Sequence, residues 1–206
     1  MSTNQPRIYL ASQSPRRREL LKQIGVNFEV LLLRADAGRG VDVDESPLPG
    51  EAAEDYVLRI CREKSVRGSS ILRYRNLPAA PVLAADTSVI LDGRILGKPE
   101  NPEHAAEMLR RLSGREHQVL TGIAVALGER VDMAMSVSTV RFIELDEERI
   151  RRYLFTGEGN DKAGGYAIQG LAGAFVAHLS GSYSGVVGLP LCETVALLKR
   201  FNIPTP

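Results

Sequence analysis

Ile8-Tyr9-Leu10-Ala11-Ser12-Gln13-Ser14-Pro15-Arg16-Arg17 is the stretch from which the fold class is read. Its first four residues form a short apolar run, the pattern of a buried strand. Ser14 suits a helix N-cap, because its oxygen can accept from a free N–H of the first turn, and Pro15 suits the first helical position, where no N–H is needed. Leu20, Leu21 and Ile24 then lie on one helical stripe, and Gly25 is placed to stop the helix. Phe28 to Leu33 reads as a second strand. Strand, loop, helix, strand is how an α/β fold opens.

Working outward, residues 34 to 50 are rich in Gly, Asp and Pro and read as a loop. Glu51 to Arg67 reads as a helix with Ala53, Tyr56, Val57, Ile60 and Cys61 on its apolar side. One more turn of that stripe lands on Lys64, either a snorkelling stem or a lysine with a buried task. Pro81 to Ala85 is expected as a strand ending at Asp86. Ser88 to Leu91 and Arg94 to Leu96 flank Asp92-Gly93, a strong hairpin-turn signal. Asn101-Pro102 opens a helix carrying Ala105, Ala106, Leu109 and Leu112, with Gly114 after its end. Residues 117 to 127 and 131 to 143 alternate as long strands, and Asp146 caps a helix through Phe155. Gly157 to Gly173 holds six glycines, too many for a regular element. Ala174 to Leu179 reads as a strand and Leu189 to Phe201 as a closing helix. The order predicts an α/β fold, with residues 1–206 as one domain. Its expected architecture is a mixed twisted sheet with flanking helices, bent into two lobes.

Composition bounds the function. Of the 206 residues 44% are apolar and 25% charged, as in a globular chain with a real core. A net charge of +1 gives no bulk attraction to nucleic acid or anionic membranes, so anion binding must be local. Met1 to Pro6 lacks the apolar region of a signal peptide, and no apolar run reaches the about 18 residues of a membrane span. A cytoplasmic location is expected. Cys61 and Cys192 form no metal-binding spacing, and both lie in apolar helical patterns that suggest core packing.

Four segments could carry chemistry. Arg16 and Arg17 stand in the first turn of a helix, where cations oppose the dipole unless an anion lies between; a phosphate or a merely solvated basic turn both fit. Asp86, after an apolar strand, is either a turn cap or a carboxylate that binds metal or activates water, with Thr87 beside it as a donor. Asp44-Glu45, within Asp42-Val43-Asp44-Glu45, suits Mg²⁺ or Mn²⁺ or is a solvated acidic loop. In Asp161-Lys162-Ala163-Gly164-Gly165-Tyr166-Ala167-Ile168-Gln169-Gly170, glycines permit close approach to a ligand, and Gln169 can read a base edge. No Walker A ending, serine-hydrolase elbow or histidine zinc spacing occurs. Cations and carboxylates without histidine or cysteine point to a phosphate ester and a divalent metal.

In order along the chain stand Ser12-x-Ser14-Pro15-Arg16-Arg17, Asp44-Glu45, Arg62-Glu63-Lys64, Ala85-Asp86-Thr87, Gly97-Lys98-Pro99 and the Asp161–Gly170 segment. On these motifs the sequence resembles the Maf family of nucleotide pyrophosphatases, formerly described as septum formation inhibitors, from Tyr9 to Phe201. The resemblance implies a fold related to the inosine-triphosphate pyrophosphatase group, with a cleft between two lobes. It implies hydrolysis of a nucleoside triphosphate to monophosphate and diphosphate, with Mg²⁺ or Mn²⁺, in a homodimer. Asp86 matches the family's proton acceptor, and Glu45 and Asp86 are expected to hold the metal. Ser12, Arg16, Arg17, Lys64 and Lys98 are expected at the substrate. Arg16, Thr87 and Gln169 match the Arg, Thr and Gln of the dTTP/UTP branch, whereas the 7-methyl-GTP branch carries Trp, Gln and Glu. The alternatives are that second substrate, or a non-catalytic nucleotide-binding regulator of cell division. Arg34 to Val41 departs from the family pattern in being longer and richer in Gly and Arg.

Overall fold

The computed structural model describes residues 7–34 and 42–205. Met1 to Pro6 and residues 35–41 of the divergent stretch lie outside the described residues. Seven strands and six α-helices are present among those described. They are β1 (Ile8–Leu10), α1 (Pro15–Gln23), β2 (Phe28–Val30), α2 (Ala53–Tyr74), β3 (Val82–Leu91), β4 (Arg94–Leu96), α3 (Pro102–Leu112), β5 (Glu116–Leu127), β6 (Arg130–Phe142), α4 (Glu147–Phe155), β7 (Val176–Ser180), α5 (Tyr183–Val187) and α6 (Leu191–Lys199). The sheet runs β2-β1-β3-β5-β6-β7, with β4 paired to β3. It is mixed, as expected: β1 is parallel to β2 and β3, while β4 on β3 and β7 on β6 are antiparallel. No helix among the described residues is long and apolar enough to cross a membrane.

The chain forms two compact units. The first comprises Met1–Asp86, Thr121–Met135 and Gly188–Pro206. In it Tyr9 pairs with Val82 and Ile8 with Phe28. Tyr9, Ala11, Leu31, Ile71, Leu72, Val82 and Ala84 pack into one apolar cluster. Two glycines admit α2 to the sheet. A Cβ on Gly68 would lie 2.7 Å from Val82 Cγ1, and one on Gly122 would lie 2.8 Å from Val57 Cγ1. The close approach at Gly68, with Ile71 and Leu72 buried beyond it, carries α2 on to Tyr74, past the expected end at Arg67. Two other expectations are corrected. Cys61 is fully buried, but Cys192 is exposed, because Thr194, Leu197 and Leu198 set the buried face of α6. And β3 does not end at Asp86: it continues to Leu91, since the buried Asp86 carboxylate is paired and needs no turn to reach water.

The second unit comprises Thr87–Leu120 and Ser136–Val187. Here β3 turns into β4 through Asp92 and Gly93, whose φ of 52° and 72° are the left-handed pair that a two-residue hairpin requires. Asn101 and Asp146 cap α3 and α4 as their sequences imply, accepting from His104 N and Arg149 N. The Gly-rich stretch folds as two 3₁₀ turns, Ala163–Gly165 and Leu171–Phe175. The short α5 has no warning in the sequence pattern. Val89, Leu109, Leu112, Val119, Phe142, Tyr153, Tyr166 and Phe175 belong to one core cluster.

His117 lies within that unit, 3% exposed, with Nε2 at 2.7 Å from the Tyr166 hydroxyl and an edge-on contact to Phe142. Burial lowers its pKa to about 4. The folded pKa is thus below the unfolded one. Above pH 6.5 neither state is protonated; as pH falls from there to about 4 the unfolded chain takes up a proton that the fold resists. Stability is therefore expected to fall across that window by on the order of 3 kcal/mol. Urea unfolding at pH 7 and pH 4 checks it: His117→Gln, which does not titrate, should lose less stability than wild type. Equal losses would reject the assignment.

Candidate active site

The loop between β1 and α1 is built on two serines. Ser14 Oγ accepts from Arg17 N at 3.4 Å, and Ser12 Oγ accepts from Ser14 N at 3.2 Å and Arg17 Nη1 at 3.3 Å. The Arg17 guanidinium also donates from Nε to Gly188 O at 2.8 Å and from Nη1 to Ala85 O at 2.7 Å. It thereby ties the first turn of α1 to the backbone one residue before Asp86. Burial pulls its pKa below the usual arginine value, against the opposing pull of Asp86 and Glu45. Arg16, half-buried on the same turn, has no hydrogen-bond or ion-pair partner among the described residues, so its fork can still meet an anion.

Lys64 answers the question its position posed. From the otherwise apolar face of α2 its ammonium donates to Asp86 Oδ1 at 2.8 Å and reaches Glu45 Oε1 at 2.9 Å. The Lys64 and Asp86 side chains are only 13% and 12% exposed, whereas Glu45 is 48% exposed. A lone buried charge would cost several kcal/mol, roughly. Here one ammonium compensates both carboxylates and draws them together.

The loop bearing Glu45 is fastened to α2. Tyr56 Oη donates to Glu45 O at 2.9 Å, and Arg59 Nη2 donates to Ser46 O at 3.0 Å and to Glu51 Oε2 at 2.8 Å. Burial, then the charges of Asp86 and Glu45, push the Tyr56 phenol up to about 12, so it is a standing donor. Upstream, Asp42 Oδ1 accepts from Arg67 Nε and Nη2 at 3.1 and 2.8 Å, and Oδ2 accepts from Arg34 N at 2.7 Å. Burial alone would raise the Asp42 carboxyl; the Arg34 backbone N–H and the Arg34 and Arg67 guanidiniums outweigh it and hold it at about 2. Cys61 is no rival nucleophile: burial and the Asp86 charge push its thiol up to about 12.

In the second unit, Thr87 follows Asp86 along β3, and Lys98 lies exposed after β4. Gly164 N donates to Gly97 O at 3.0 Å, which joins the Lys98 segment to the Gly-rich loop. Asp161 is held below the usual carboxylate range by its bond from Lys162, and further by the charge of Lys98. Gln169 is exposed on that loop. Ser12, Arg16, Arg17, Glu45, Lys64 and Asp86 thus belong to the first unit, and Thr87, Lys98 and Gln169 to the second.

A family model described as Maf-like protein matches residues 7–201. The chain belongs to the Maf-like protein family. Among its relatives, a dTTP/UTP pyrophosphatase of Nitrosospira multiformis is 57% identical over 197 residues, 96% of this chain and 95% of that protein. One of Nitrosomonas europaea is 54% identical, covering 95% of both. One of Aromatoleum aromaticum is 51% identical, covering 99% of this chain and 100% of its own. Among solved structures, the Staphylococcus aureus Ham1 protein overlaps 66% of this chain and 71% of its own at 16% identity and a TM-score of 0.41.

The fastening residues of this Maf-like chain escape a reading by motif. Tyr56 occupies an apolar stripe, where its ring packs and only its hydroxyl does the holding. Asp42 stands in the acidic run with Glu45, but its side chain is 1% exposed and serves two arginines rather than a ligand. The only sequence signal was a tyrosine and two arginines spaced along the α2 face nearest that run.

Proposed function

We propose that this chain hydrolyses dTTP and UTP to the monophosphate and diphosphate. The observation that carries the reading is the Asp86–Lys64–Glu45 cluster, found in a chain more than half identical, over nearly its full length, to proteins named dTTP/UTP pyrophosphatases.

A water held at Asp86 attacks the α-phosphorus. Its oxygen bonds to phosphorus, its proton passes to an Asp86 oxygen, and the α–β bridging oxygen leaves with the diphosphate. Lys64, donating to Asp86 Oδ1, fixes the orientation of that carboxylate. Arg16, Lys64 and Lys98 offset charge on the triphosphate, while Arg17 donates to Ala85 O, Gly188 O and Ser12 Oγ and so holds the strand and the loop in place. Ser12 lines the same turn.

A divalent cation fits the donor set. Glu45 and Asp86 offer hard oxygens that already converge on one cation, the Lys64 ammonium. Among the described residues no group of three or more His, Cys, Asp and Glu gathers as a metal cage. The two carboxylates, Glu45 and Asp86, suit Mg²⁺ or Mn²⁺, which commonly take one or two carboxylates and complete their shell with phosphate oxygens and water. When bound there, the ion would polarise the phosphoryl oxygens.

Arg16, Thr87 and Gln169 support the pyrimidine preference, Gln169 reading the O4/N3 edge with one acceptor and one donor. Gln169→Glu keeps the acceptor and loses the donor, so use of dTTP and UTP should weaken relative to other bases. Unchanged relative rates would count against it. The near-neutral charge supports a partner set of nucleotide rather than nucleic acid. A homodimer is proposed on the family resemblance. The test of the whole reading is a panel of nucleoside triphosphates with Mg²⁺ or Mn²⁺, assayed for diphosphate release. Preference for 7-methyl-GTP, or binding without turnover, would overturn it.

A further inference from the structure

Gln169 is exposed, yet the chain on either side of it is held by side chains. Before it, the Tyr166 hydroxyl meets His117 Nε2, and Ala167 N donates to Tyr153 Oη at 3.2 Å. After it, Leu171 N and Ala172 N donate to the two oxygens of Glu158, at 2.9 and 3.2 Å. Glu158 follows α4 and is half-buried; its own N–H donates to Thr156 Oγ1 at 3.2 Å. One carboxylate therefore caps the 3₁₀ turn Leu171–Phe175 with two charge-assisted bonds.

Gly170 lies close against that carboxylate. A Cβ on Gly170 would lie 2.3 Å from Glu158 Oε2, and its three nearest atoms would all belong to Glu158. The backbone of Gly170 is extended, at φ −170°, so any residue could adopt it. A side chain at Gly170 would therefore displace the Glu158 carboxylate rather than strain the turn itself. Gly173 N closes the turn on Gly170 O at 3.0 Å.

We propose that Glu158 is a positioning residue for base selection: its carboxylate fixes the turn that presents Gln169, and so sets base preference without touching the nucleotide. The proposal rests on Gln169 as the base reader. A long, flexible glutamine on an unheld loop would give up rotamer and backbone freedom on binding; a loop ordered beforehand has already given up the backbone part.

The test compares Glu158→Ala, Glu158→Gln, Gly170→Ala and the Glu158→Ala/Gly170→Ala double variant with wild type. Two readouts are needed: amide exchange at Leu171 and Ala172, and kcat/KM for dTTP, UTP, dCTP and dGTP. In Glu158→Ala both amides should exchange at least about tenfold faster, and the preference for dTTP and UTP should shrink by about tenfold, chiefly through KM. Glu158→Gln, which keeps one acceptor, should fall between. Gly170→Ala, by displacing the carboxylate, should reproduce the loss in wild type and add little to Glu158→Ala. An intact wild-type preference that Glu158→Ala leaves unchanged overturns the proposal alone. So does unaltered exchange at Leu171 and Ala172. A wild type with no base preference overturns the functional reading, and this proposal with it.

Discussion

Asp86→Asn is expected to slow diphosphate release by about 10²–10⁴-fold, the usual worth of a general base. The substitution preserves volume, so β3 and its buried surroundings should stay packed. The asparagine oxygen can still accept from Lys64, and Glu45 keeps its own contact with that ammonium. What disappears is the basic oxygen, since an amide does not take a proton from water at neutral pH. Affinity for dTTP should hold or rise, because one negative charge is removed from beside an anionic ligand. Single-turnover kinetics with dTTP and Mn²⁺, alongside a binding titration, separate the two effects. Near-normal turnover would remove Asp86 from its role; a collapse of binding with normal turnover of what is bound would make it a substrate contact.

Gly159→Ala is expected to lower stability steeply. Gly159 is buried, and a Cβ there would fall 1.9 Å from Gly165 O and 2.6 Å from Gly165 C. Both are backbone atoms, so no side chain can swing aside. The surrounding turns are tied down as well: Lys162 N donates to Gly159 O at 3.1 Å and Gly165 N to Lys162 O at 3.1 Å. Relief must come from shifting the Gly-rich chain as a whole. Such overpacking costs about 3 kcal/mol at the upper end of its usual range, or roughly 6–12 °C in Tm for a chain of this length. Gly97→Ala is the control, since a Cβ there would meet nothing within 4 Å. Matching melting temperatures for the two variants would refute the steric account.

The sequence was most legible where structure is decided locally. Ser14-Pro15, Asn101 and Asp146 cap their helices, and Asp92-Gly93 makes its turn, because each acts through its own backbone within a few residues. Legibility failed where a distant partner decides. Asp86 and Thr87 look like the end of a strand until Lys64, 22 residues away, is known to neutralise the aspartate. The expected helix stops at Arg67, yet the next residue, Gly68, is the point where α2 meets Val82 and runs on. The site divides the same way. Lys64 betrayed itself by standing on an apolar stripe, whereas Glu158, Tyr56 and Asp42 act through backbone groups or arginines that no spacing rule connects to them.

The clamp at Asp42 bears on how this chain tolerates change in length. Asp42 N donates to Arg34 O at 3.0 Å while its carboxylate takes the Arg34 N–H, so the two flanks of the divergent stretch are stitched to each other and, through Arg67, to α2. Glu45 lies on the far side of that stitch. Chain inserted between the flanks then adds little beyond loop-closure entropy, about 0.6 kcal/mol for each doubling of length, and the strain of the insertion stops at Asp42. Lineages could thus vary this segment in size while the acidic residue three positions on keeps its place.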